Sequence, residues 1–110
     1  MDRREIRLES LNVNGIRAVE KKGFLDWLQR SQPDILCLQE TKATPEQLSE
    51  ELLKPDGYES FFNSGERKGY SGVAVYSKIK PSASLREFPG ILDAEGRMIQ
   101  LEYTDFTLLN

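Results

Sequence analysis

Apolar positions along this chain change their spacing several times, and each change marks an element. Ile6, Leu8 and Leu11 fall at mixed intervals that read as a strand over residues 5–13, closed by the turn Asn12-Val13-Asn14-Gly15. Val19, Phe24, Leu25 and Leu28 then recur at helical spacing, which predicts a helix over residues 18–29 with Gly23 as a weak point in its middle. After Pro33, the run Ile35-Leu36-Cys37-Leu38 has no polar alternate and reads as a strand covered on both faces, as in the parallel part of an α/β sheet. Strand, helix and strand over this length form a βαβ unit, with a right-handed crossover and parallel strands.

The second half changes texture. Thr44-Pro45-Glu46-Gln47 carries an N-cap threonine, proline at the first helical position and glutamine where a capping box places it, so a second helix is expected to begin there. Leu48, Leu52 and Leu53 supply its apolar side, and Pro55-Asp56-Gly57 ends it. Beyond it the pattern predicts a strand over 58–63, a polar turn over 64–68 and a strand over 72–77. Residues 81–89 show no period and read as a loop, and Asp93-Ala94-Glu95-Gly96 reads as a turn. Residues 98–103 alternate, Thr104-Asp105 turns a hairpin and residues 106–109 start the returning strand. The chain stops at Asn110, one residue after an apolar run, and this leads us to expect a fragment of a larger fold.

Composition narrows the class. A chain of 110 residues supports one core, and no repeat or linker divides it, so residues 1–110 are expected to lie in one α/β domain. With 38% hydrophobic and 30% charged residues it is an ordinary globular sequence, with no membrane span and no signal-peptide core, which points to the cytoplasm. Cys37 has no partner for a disulfide and reads as a small buried hydrophobe. A net charge of −3 argues against a protein that coats nucleic acid with its whole surface, yet Arg17 with Lys21 and Lys22, and Arg67 with Lys68, form local basic patches. There is no histidine, which excludes a Ser-His-Asp centre and disfavours zinc.

What remains as candidate chemistry is oxygen. Glu40 emerges at the carboxyl end of the buried strand, and Asn12 and Asn14 end the first strand on the same edge, where open α/β sheets bind ligands and ions. By spacing alone Asn12 and Glu40 fit structural hydrogen bonding as well as a hard divalent cation.

Read together, four blocks are more specific. Leu11-Asn12-Val13-Asn14-Gly15-Ile16-Arg17-Ala18, residues 33–42, Gly69-Tyr70-Ser71-Gly72-Val73-Ala74 and Glu95-Gly96-Arg97 resemble, in order, the N-terminal half of the exodeoxyribonuclease III family of apurinic/apyrimidinic endonucleases. The resemblance implies half of a DNase I-like four-layer α/β sandwich with a mixed sheet and flanking helices. It also implies a Mg²⁺-dependent phosphodiesterase, with Mn²⁺ as a substitute, that cleaves duplex DNA 5′ to abasic sites and degrades it from 3′ ends. By that resemblance Glu40 binds the metal and Asn12 shares the metal and phosphate site, while Asn14 stands where some members have aspartate. Arg17 and Lys22 match phosphate contacts, Gly69 and Tyr70 a loop along the damaged strand, and Lys42 a basic residue beside the metal. The groups that activate water and assist the leaving group belong to the family's other half, so a monomeric complete enzyme and an inactive isolated chain are expected. Two other readings stay open: a superfamily phosphoesterase acting on a substrate other than DNA, and a non-catalytic nucleic-acid-binding or assembly module of the same fold.

Overall fold

Strand β2 (Ile35–Gln39) takes a hydrogen-bonded neighbour on each side, and the rest of the chain is arranged about it. In the computed structural model, which describes residues 5–64, 69–86 and 97–110, β1 (Leu8–Asn12) runs parallel to β2 with Asn12 opposite Gln39. The connection between them holds helices α1 (Ile16–Lys21) and α2 (Phe24–Ser31). After the short helix α3 (Glu50–Leu53), β3 (Glu59–Asn63) pairs with β4 (Val73–Ser77), which is antiparallel to β2, giving a mixed sheet in the order β1-β2-β4-β3. A second sheet holds β5 (Ala83–Leu85), β6 (Gln100–Glu102) and β7 (Thr107–Leu109), all antiparallel.

The uninterrupted apolar run of β2 has a direct physical cause. Side chains alternate faces along a strand, and here both faces are covered. Leu36 and Leu38 join Phe24, Leu28, Leu52 and Tyr76 in a core beneath the helices, whereas Ile35 and Cys37 join Ile99, Leu101 and Tyr103 in a core between the sheets. β4 divides in the same way, Ala74 and Tyr76 to one side and Val73 and Val75 to the other. Tyr76 is fully buried, its hydroxyl donates to the Leu52 carbonyl at 2.5 Å, and its ring meets those of Phe24, Tyr58 and Phe62 at 6.0–6.5 Å. Burial pushes the Cys37 thiol up to about 11, so it stays protonated at neutral pH and fills space as the sequence implies.

Several elements differ from the sequence expectation. The helix expected over 18–29 is two helices, because Gly23 adopts φ 97°, a left-handed conformation open to glycine and costly for other residues. The helix expected to begin at Thr44 is a single 3-10 turn, Pro45–Gln47, with the Thr44 N–H held by the Gln47 side chain at 2.9 Å. Leu48 is extended, and Ser49 caps α3 through its bond from the Leu52 N–H at 3.2 Å. The supposed loop over 81–89 contains β5, an exposed edge strand whose residues bury no face and therefore show no period. The first strand is shorter than 5–13. The hairpin across Thr104-Asp105 forms as expected, with the Tyr103 N–H on the Phe106 carbonyl at 2.8 Å. Arg67, Lys68 and the turn Asp93-Ala94-Glu95-Gly96 lie outside the described residues. Among the described residues no helix is long and apolar enough to cross a membrane.

The Gly23 break gives a prediction with opposite signs for the two views of this segment. In one continuous helix, Gly23→Ala would stabilise by about 1 kcal/mol. At φ 97°, with nothing near the new Cβ, the left-handed backbone dominates and the substitution is expected to destabilise by about 1 kcal/mol. Urea denaturation of the two proteins distinguishes the signs.

Candidate metal and phosphate site

Because β1 and β2 are parallel, both end on the same edge, and hydrogen bonding continues past their last residues. The Val13, Gly15 and Ile16 N–H groups donate to the carbonyls of Gln39, Glu40 and Thr41 at 3.0, 2.8 and 2.9 Å. On the other side the Thr41 and Lys42 N–H groups donate to Gly72 and Ser71 at 3.0 and 2.8 Å. Residues 40–42 are thus a strip held between the loop after β1 and the loop before β4.

The strip is not extended. Glu40 and Lys42 adopt φ 55° and 56°, as do Asn14 at 48° and Ser71 at 57° on the flanking loops. Left-handed backbone at residues other than glycine costs on the order of 1 kcal/mol each and gathers at functional sites. Its consequence here is a cluster of polar side chains. The Asn12 amide donates to Glu40 Oε2 at 2.5 Å, Asn12 Oδ1 accepts from the Asn14 N–H at 3.0 Å, and Lys42 Nζ donates to Asn14 Oδ1 and lies 3.8 Å from Glu40 Oε1.

This geometry brings together Asn12, Asn14, Glu40 and Lys42. Asn12 turns its nitrogen to Glu40 while its oxygen accepts from the Asn14 N–H, so its amide orients the carboxylate. Among the described residues no three acidic, histidine or cysteine side chains gather as a cage for a metal. A half-exposed carboxylate with an orienting amide still suits Mg²⁺, which commonly takes one or two carboxylates and completes its shell with water and phosphate.

Beside the carboxylate lies an open basin of about 330 Å³ lined by Gly15, Arg17, Ala18, Lys21, Thr41 and Lys42. Its three cations face a chain whose net charge is −3, so positive charge is concentrated where an anionic backbone would approach. Lys21 lines this basin, and Lys22, the residue expected from the sequence, caps the end of α1 and lies outside it. Gly69 and Tyr70 are exposed on the loop whose next residues, Ser71 and Gly72, bond to the strip. The sequence signalled the Asn14-Gly15 turn. It held no signal for the backbone twist at Glu40 and Lys42, because those residue types have no preference for that conformation.

The sequence profile of the Endonuclease/Exonuclease/phosphatase family matches residues 10–110. The chain belongs to that family. It is 38% identical, over its whole length, to a DNA-(apurinic or apyrimidinic site) endonuclease of Dictyostelium discoideum, and 45% identical over 89% of its length to an exodeoxyribonuclease of Bacillus subtilis. It spans 30% and 38% of those two proteins, about a third of their length. Among solved structures, a 3′ phosphatase from Neisseria bound to product DNA hairpin superposes with a TM-score of 0.79 at 25% identity, over 96% of this chain and 40% of that one. The resemblance drawn from the four sequence blocks and the α/β, DNase I-like architecture are therefore borne out. The helix layer and the two sheets described here are three of the expected four layers.

Proposed function

We propose that this chain is the metal-binding portion of a DNA-repair nuclease that cuts duplex DNA 5′ to abasic sites and trims 3′ ends with Mg²⁺. The observation that carries the reading is the juxtaposition of an oriented carboxylate, Glu40, with a basin lined by Arg17, Lys21 and Lys42. The relatives' names, an abasic-site endonuclease and an exodeoxyribonuclease, together with the DNA-bound neighbour, support DNA over other phosphodiesters.

In this reading Glu40 holds the Mg²⁺ or Mn²⁺ ion, which when bound polarises the scissile phosphate and stabilises charge on its oxygens. Asn12 keeps the carboxylate turned toward the site through its amide bond. Lys42 fixes Asn14 and adds positive charge beside the phosphate. Arg17 holds a neighbouring backbone phosphate and carries no base information, as an enzyme indifferent to sequence requires. Lys22 and the exposed Gly69-Tyr70 loop extend the contact along the strand.

In this reading the groups that activate water and protonate the leaving oxygen belong to the part of the fold outside these residues, which span 30% and 38% of the two relatives; the absence of histidine agrees with this. Ile6, Leu8, Leu11 and Leu109 are large apolar residues left exposed along β1 and β7 and just before β1.

Glu40→Gln in the complete protein is expected to keep the fold and lower Mg²⁺-dependent incision by more than roughly 100-fold, since even partners that only orient a ligand carry about 10- to 100-fold. Unchanged incision at limiting Mg²⁺ would remove Glu40 from the metal site. Arg17→Ala should weaken DNA binding equally across sequences and reduce the slope of log affinity against log salt by roughly one unit; a sequence-selective loss would contradict a phosphate contact. The 110-residue chain alone is expected not to incise an abasic duplex in excess Mg²⁺, and to do so when mixed with a separately expressed remainder. Robust incision by the chain alone, abolished by Glu40→Gln, would show that its own carboxylates, lysines and tyrosines suffice.

A further inference from the structure

Gly72 and Thr41 meet at closer range than side chains allow. Thr41 is 2% exposed, sits between Glu40 and Lys42, and donates its backbone N–H to the Gly72 carbonyl at 3.0 Å. A Cβ on Gly72 would fall 2.3 Å from Thr41 Oγ1, while its next contacts, the Lys42 nitrogen at 3.5 Å and Thr41 Cβ at 3.6 Å, would be ordinary. Gly72 also has φ 95°, and the adjoining Ser71 receives the Lys42 N–H at 2.8 Å. The three left-handed residues Glu40, Lys42 and Ser71 are therefore locked into one unit across this contact, and the unit fails if Thr41 is pushed aside. Thr41 is the residue between Glu40 and Lys42, so a shift there acts on the peptide that follows Glu40, whose carboxylate accepts from the Asn12 amide at 2.5 Å.

We propose that Gly72 is a positioning residue for the metal site: by leaving room for Thr41, it holds residues 40–42 in the conformation that presents the Glu40 carboxylate. The inference rests on the reading of Glu40 as a metal ligand and goes beyond it, because it assigns a role to a glycine that brings no side chain to the site.

The test uses the complete protein with Mn²⁺ as the probe, in the absence of DNA, read by electron paramagnetic resonance, with melting temperature as the check on folding. Gly72→Ala is expected to raise the Mn²⁺ dissociation constant by about 10-fold. In incision assays it should raise the Mg²⁺ concentration needed for half-maximal rate while leaving the rate at saturating Mg²⁺ within about twofold of the parent. A merely structural defect would do the reverse, lowering the saturating rate by loss of active protein and leaving the Mg²⁺ dependence in place. Thr41→Ala combined with Gly72→Ala removes the 2.3 Å clash and leaves only the cost of a side chain at φ 95°, so it should recover part of the lost affinity. A double variant no better than Gly72→Ala, or a folded Gly72→Ala with parental Mn²⁺ affinity, overturns the proposal. Should Gly72→Ala fail to fold, Thr41→Val carries the test, since it places a methyl group against Gly72 without any new demand on the backbone. Several-fold weaker Mn²⁺ binding in that variant supports the proposal, and parental binding overturns it. Glu40→Gln separates the two levels: if it leaves Mn²⁺ binding intact, the metal reading itself falls and this inference with it. If it abolishes binding while Gly72→Ala does not alter it, only the positioning role falls.

Discussion

Burial of β2 on both faces and hydrogen bonding on both of its edges is the condition on which the remaining structure depends. Each fully buried leucine or isoleucine contributes about 1.5–3 kcal/mol, and β2 places Ile35, Leu36 and Leu38 at 0% exposure. That anchoring fixes where the strand ends. Since β1 is bound to it in parallel register, the end of β2 also decides which residue of β1 stands beside Glu40.

The strip beyond β2 is a balance of small quantities. Left-handed backbone at Asn14, Glu40, Lys42 and Ser71 costs on the order of 1 kcal/mol per residue. Opposing it are five backbone hydrogen bonds, from Val13, Gly15, Ile16, Thr41 and Lys42, each worth about 1 kcal/mol net. The two nearly cancel, so the conformation persists because it is enclosed by anchored elements on either side. A carboxylate on a free loop would relax to an ordinary conformation and leave the Asn12 amide.

The second sheet is tied to this end of the first through side chains as well as through the shared core. The Asn110 amide donates to the Leu38 and Ala74 carbonyls at 3.2 and 3.0 Å and accepts from Gln39 Nε2 at 2.9 Å, and Gln39 in turn reaches Ser10 on β1 at 3.0 Å. At the other side of the sheet Asn63 donates to the Met98 carbonyl at 2.9 Å. These bonds satisfy polar groups where the sheets leave the apolar interior, and among the described residues no buried side-chain polar atom lacks a partner. They also stiffen the platform that carries Glu40.

The amino-acid sequence by itself determined the doubly buried β2, the parallel βαβ start, the hairpin at Thr104-Asp105 and the family. Each of these follows from local periodicity, turn chemistry or blocks of residues in fixed order. It also put Asn12, Asn14, Glu40 and Lys42 forward, and the fold collects those residues at one sheet edge. Only the tertiary structure decided that the segment around Gly23 is broken into two helices, that Thr44 opens a single turn, and that residues 83–85 form an edge strand. It alone showed that Lys21 rather than Lys22 lines the basin and that Asn12 serves Glu40 through its nitrogen. The backbone twist at Glu40 and Lys42 and the contact of Gly72 with Thr41 are imposed by bonds between segments some 30 residues apart, and no pattern of neighbouring residues encodes them.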